Sequence, residues 1–141
     1  MLIMRSNIRL AVLVGALATL ASCSSDAGTA VRASVTGTYQ LLSVNGQPLP
    51  FTENSSGAVV KITAGQLVAQ SDGSFTETLT KSTTPPGGTT TTASIVSNGT
   101  YQIGNQVIVF TYSGNSATAL GSLTNGGLSI QNGLNSYEYV R

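Results

Sequence analysis

From Val35 to Arg141 the apolar residues do not recur at helical spacing; no window shows the i, i+3, i+4, i+7 pattern of an amphipathic helix. They alternate with polar residues instead, in short runs rich in Thr, Val, Ile and Tyr, and Gly, Asn or Asp interrupts them every several residues. The pattern predicts strands near 37–44, 58–63, 66–70, 74–82, 89–97, 100–103, 106–112, 116–123, 128–131 and 136–140. Turns are expected at Ala64-Gly65, Asp72-Gly73, Pro85-Pro86-Gly87-Gly88, Gly104-Asn105, Gly114-Asn115, Gly126-Gly127 and Asn132-Gly133. Asp-Gly and Gly-Asn accept positive φ at little cost, which suits tight hairpins. Short connections make successive strands antiparallel.

Alternation also assigns faces. Tyr39 and Leu41 share one, as do Tyr101 and Ile103, Leu128 and Ile130, and Tyr137 and Tyr139. Phe75, Glu77, Leu79 and Lys81 lie together, opposite Ser74, Thr76, Thr78 and Thr80. The run Gln106 to Tyr112 is apolar on both faces and is expected to be the most buried strand. A twisted sheet of this many strands must close on itself or split into two layers, and closure removes exposed edges. The expected fold class is therefore all-β, an antiparallel up-and-down β-barrel of about eight to ten strands.

Charge and composition narrow the function. The chain has no histidine, which removes the commonest general base and metal ligand. Past Cys23 it carries four bases (Arg32, Lys61, Lys81, Arg141) and five acids (Asp26, Glu53, Asp72, Glu77, Glu138), a net of −1. No two acids are close in sequence, so no metal site, no catalytic triad and no cofactor is expected, and an enzyme is disfavoured. No basic patch exists for nucleic acid.

The N-terminus tells where the protein works. Arg5 and Arg9 precede an uncharged, mostly apolar run, Leu10 to Leu20, and small residues lead on to Cys23, the sole cysteine. Basic, apolar, small is the order of a secretory signal. The apolar run is about half the roughly 20 residues a transmembrane helix needs. Leu20-Ala21-Ser22-Cys23 resembles the lipobox of bacterial lipoproteins. The resemblance implies cleavage before Cys23 and acyl chains on that cysteine, two or three of which hold a protein at a membrane. It divides the chain into a signal peptide (1–22), a lipidated Cys23 with a small, polar, flexible tether (23–35) and a β-domain (36–141). The expected location is the cell envelope, lipid-anchored. Ser24, where an Asp would retain a Gram-negative lipoprotein at the inner membrane, implies the outer membrane if the host is Gram-negative.

Gly37-Thr38-Tyr39, Val44-Asn45-Gly46-Gln47-Pro48-Leu49-Pro50 and Gly99-Thr100-Tyr101 resemble bacterial lipocalin-like domains, which are small up-and-down barrels. Lipocalins begin their first strand with Gly-x-Trp and carry an arginine near the last strand that packs over the tryptophan. Here Tyr39 replaces the Trp, and Tyr39 with Arg141 is the candidate closing pair. The resemblance implies an interior for one small hydrophobic ligand, with Tyr39, Leu41, Phe75, Glu77, Leu79, Tyr101, Phe110 and Tyr139 as cavity candidates. The same residues also suit a filled, ligand-free barrel.

Glu77 raises a sharper question, because strict alternation places it with Lys81 on the Phe75 face. A carboxylate inside a barrel needs a partner, either a cation such as Lys61 or Lys81 or a polar ligand head. A β-bulge or an open mouth would instead leave both charges in water. Thr83 to Thr92 reads as a long Pro/Gly hairpin tip. Two functions stay open: a lipid-anchored carrier of a small hydrophobic molecule, or a packed structural or protein-interaction domain of the envelope.

Overall fold

The computed structural model describes residues 35–53 and 57–141. The expected signal, Cys23 and nearly all of the tether lie outside the described residues. Among the described residues ten strands follow one another: β1 (Gly37–Val44), β2 (Gln47–Pro48), β3 (Phe51–Glu53), β4 (Val59–Ala69), β5 (Ser74–Thr84), β6 (Thr91–Gly104), β7 (Val107–Tyr112), β8 (Thr118–Thr124), β9 (Gly127–Asn132) and β10 (Asn135–Val140). Every pairing between neighbours is antiparallel, and β4 to β10 meander in chain order before β10 pairs with β1. Residues Gly37–Gln40 of β1 then pair with Gln66–Ala69 of β4 and close a ring of eight strands, β1 and β4 to β10. The short β2 and β3 are appended to β1 and β4. The fold is all-β, a closed antiparallel barrel with two extra strands.

Turn chemistry sets the register. Asn45 and Gly46 both take positive φ, 52° and 72°, and join β1 to β2 as a two-residue hairpin. Asn105 and Gln106 do the same between β6 and β7, one residue later than expected.

Three expectations are corrected. The predicted strands 58–63 and 66–70 are one strand, β4, with a bulge between Ile62 and Ala64. Ala64-Gly65 is thus no turn. The bulge carries the inward parity from even to odd, so Ile62, then Gly65, Leu67 and Ala69 point inward. Gly65 is required there: a Cβ would stand 2.8 Å from the Leu41 side chain and 2.9 Å from that of Leu79. Likewise 89–97 and 100–103 are one strand, β6, because Gly99 continues the ladder and lets the Phe75 ring lie on it, 2.6 Å from a would-be Cβ. Last, β7 is not buried on both faces. It alternates, with Ile108, Phe110 and Tyr112 inward and Val107 and Val109 exposed, because a single-layer barrel has only one dry side. The strands β2 and β3 have no counterpart in the predicted set.

The strand directions define two ends. The lower end holds the start of β1, the end of β10 and the turns after β4, β6 and β8. The upper end holds the 85–90 tip, β2, β3 and the turns after β7 and β9. The core fills the ring, with Tyr39, Tyr101, Tyr139, Phe75 and Phe110 its largest fully buried side chains. Above Gly99 the ring opens: β7 stops at Tyr112, opposite Gly99, while β5 and β6 run on together to Thr84 and Thr91. This upper sheet consists of β3, β4, β5 and β6.

Candidate functional site

The interior is built around β5. Phe75 meets Phe110 and Tyr112 edge-on, both at 5.1 Å between ring centroids, and Tyr101 tilts against Phe110 at 6.0 Å. Such perpendicular pairs set a positive ring edge on a negative face, adding about 0.5–1.5 kcal/mol each to the burial. Gly99 and Gly121 make room, each under one phenylalanine ring.

Glu77 caps this cluster one inward step higher and is only 6 % exposed. Neither lysine is its partner. It accepts hydrogen bonds from the Tyr139 hydroxyl at 2.5 Å (Oε1) and the Tyr112 hydroxyl at 3.0 Å (Oε2). A buried carboxylate with both oxygens engaged avoids most of the penalty of an unpaired charge. Burial and then the Glu77 charge push both phenols far above their ordinary value of 10.0, so both stay protonated as donors.

Lys81, two inward steps above Glu77, holds Glu53 of β3 instead, with Nζ at 2.8 and 2.9 Å from the two carboxylate oxygens. Lys61 is exposed. Leu79 is half-buried against the core, and Leu49 and Phe51, beside and within the added strands, pack on the core at the upper end. Tyr137 stands beside Asn135; burial first, with the charges of Glu53 and Glu77 beyond it, raises its phenol too. Sequence reasoning missed this upper rim. Asn45 was the available signal: its amide brackets Ser136 and Asn135 across the β1–β10 seam.

The lower end is tied shut. The Arg141 guanidinium lies 5.1 Å over the Tyr39 ring and donates to the Tyr39 hydroxyl at 3.0 Å and to the Thr36 carbonyl at 2.8 Å. The Tyr39 hydroxyl donates in turn to the carbonyl of the fully buried Val35. Tyr101 donates to the Gln70 carbonyl at 2.6 Å. A groove of about 130 Å³ beside Arg141 is lined by Leu123, Thr124, Gly126 and Gly127.

Seven of the eight cavity candidates are buried and Leu79 is half-buried; among their rings, Phe110 meets Phe75 and Tyr101. Among the described residues no buried side-chain polar atom lacks a hydrogen-bond partner. Each described carboxylate is engaged separately: Asp72 by Ser74, Glu53 by Lys81, Glu77 by two tyrosines, and Glu138 by Ser129 and Ser136. No three metal-ligating groups gather among the described residues. No family model matches the chain, and no curated protein is found to be similar to it.

Proposed function

We propose that this protein is a lipid-anchored lipoprotein of the cell envelope, held by acyl chains on Cys23. Its barrel is a packed, non-catalytic module that works through its outer surface. One observation carries the second half: the lumen answers its own chemistry. The Glu77 carboxylate, the one buried charge among the described residues, is taken up by Tyr112 and Tyr139, and the rings below it fill one another's gaps. A ligand entering there would have to displace contacts already made. The first half rests on Leu20-Ala21-Ser22-Cys23 after an apolar run; in a Gram-negative host Ser24 favours the outer membrane.

A carrier of a small hydrophobic molecule is the second reading. It is favoured by the half-buried Leu79 above a carboxylate and two phenols, a polar seat beneath an apolar step.

Native mass spectrometry of the full chain from a mild envelope extract separates the two. The packed module shows the polypeptide with its acyl mass and no other, takes up no fatty acid or hydrophobic dye, and loses the acyl mass in Cys23→Ser. A further discrete mass abolished by Leu79→Trp overturns the packed reading in favour of the carrier. An unacylated wild-type chain overturns the anchor.

A further inference from the structure

Among the described residues, the barrel leaves one long strand edge uncovered. Residues Thr91–Asn98 of β6 pair with β5 on one side, but β7 joins β6 only from Gly99 on. The last bond on the open side is Ser113 N–H to the Asn98 carbonyl. Residues Thr91–Ser97 therefore present alternate backbone N–H and C=O groups to solvent. They are exposed except for the half-buried Ser97, and they include Ile95 at 49 % and Val96 at 57 % exposure.

Strand edges are usually blunted by proline, charge or shortness. The other two edges of this sheet follow that rule: β2 has two residues and contains Pro48, and β3 has three and contains Glu53. The β6 edge has none of these devices. No charged residue occurs between Lys81 and Glu138, and the edge reads Thr-Thr-Ala-Ser-Ile-Val-Ser.

We infer that this edge pairs with the same edge of a second copy of the chain, antiparallel and about a two-fold axis. Three features select that occupant. Only an extended strand can use a row of alternating donors and acceptors. In a two-fold antiparallel pair, residues of the same parity oppose; about Ser94, Val96 meets Thr92 of the second copy and Ile95 meets its Ala93. No like charges meet, and both exposed apolar residues gain cover. Among the described residues this is the one unblunted edge, so pairing uses it up and stops at two copies rather than growing into a fibre. The inference holds whether or not the lumen carries a ligand.

Sedimentation of the full chain in a mild non-ionic detergent tests it, compared with Ile95→Lys and Val96→Lys. A dimer is expected, and each lysine, present twice at the seam, raises its dissociation constant by about tenfold or more. Leu120→Lys, on the outer face away from the edge, leaves the dimer intact. Thermal melts confirm that the variants fold. As a second measurement, Thr92→Cys, Ser94→Cys and Val96→Cys in a Cys23→Ser background cross-link under oxidation, most strongly at the residue nearest the axis. A wild-type monomer with no cross-link at any of the three positions overturns the inference. So does a dimer indifferent to both edge lysines, and so does an edge occupied instead by an extended peptide of another protein.

Discussion

The lower barrel and the upper sheet share β4, β5 and β6, yet they are held by different means. Phe75 and Ile95 make the point, since both have the inward parity on adjacent strands. Phe75 is fully buried between Phe110, Tyr112 and Gly99. Ile95 sits four residues before Gly99, where no strand crosses in front of it, and remains half-exposed. The upper sheet relies on cross-strand ladders and hydroxyl pairs such as Thr76 with Asn98, Thr80 with Ser94 and Thr84 with Thr90. Alternation therefore reports which way a side chain points. Whether anything awaits it there depends on closure.

The largest expected effect separates the two regions directly. Phe75→Ala removes a ring that two others contact, and urea melts are expected to show a loss of about 3–5 kcal/mol. Ile95→Ala, measured at dilutions where the chain is monomeric, is expected to stay within about 0.5 kcal/mol. Equal costs in the monomer would mean that another part of the same chain packs on the upper sheet.

Glu77 marks the boundary between the regions and comes next. Glu77→Ala strands two buried hydroxyls, an expected loss of about 3 kcal/mol, whereas Glu77→Gln keeps an acceptor and costs about half that. If the two variants melt alike, the carboxylate is in water and the rim is open.

The same site predicts a response to alkali. The Tyr112, Tyr139 and Tyr137 phenols are all raised above 10.0, chiefly by burial. Above about pH 10 the unfolded chain sheds these protons and the folded one keeps them. The unfolded state then binds fewer protons, so stability is present in full below that pH and falls as pH climbs beyond it. The phenolate absorbance of these three groups should rise only as the chain unfolds. A single rise completed in the folded protein would contradict the burial of these groups.

Much of this was legible in the residues, and the part that was not has a physical reason. Period-two alternation placed Tyr39, Leu41, Phe75, Glu77, Tyr101 and Tyr139 inward, because a strand's parity is local. The β4 bulge at Thr63 was not legible, since it depends on the partner strand's register. Gly65 was expected in a turn and Gly99 fell between two expected strands, but both serve as room for Leu41, Leu79 and Phe75, a role set by side chains distant in sequence. The partners of Glu77 were missed for a similar reason. Tyr112 and Tyr139 lie 35 and 62 residues away, and no spacing rule links them. The same holds for Glu53 and Lys81, since β3 was not foreseen as a strand.

The lower closure provides a test of intermediate size. Arg141 links the last residue to Thr36 and Tyr39 at the start of the barrel. Arg141→Ala is expected to cost about 1–2 kcal/mol through the stacked cation and its charge-assisted bonds. Arg141→Lys should recover only part of it, because an ammonium lacks the flat fork. Hydrogen exchange should speed up at Gly37–Gln40 and leave Thr91–Ser97 unchanged.

The smallest effect belongs to the upper end. Lys81 and Glu53 are each about one-quarter exposed (23 % for both side chains), so their pairing is partly screened. Lys81→Ala is expected to cost about 0.5–1 kcal/mol, and less as salt is added. Lys81→Met keeps the apolar stem and isolates the charge. The sign of the comparison matters more than its size: salt should narrow the gap between wild type and Lys81→Met while leaving the Phe75→Ala gap unchanged. If instead both gaps shrink together, the ion pair is transmitting order into the lower barrel, and the two regions melt as one unit rather than as a closed core carrying an open sheet.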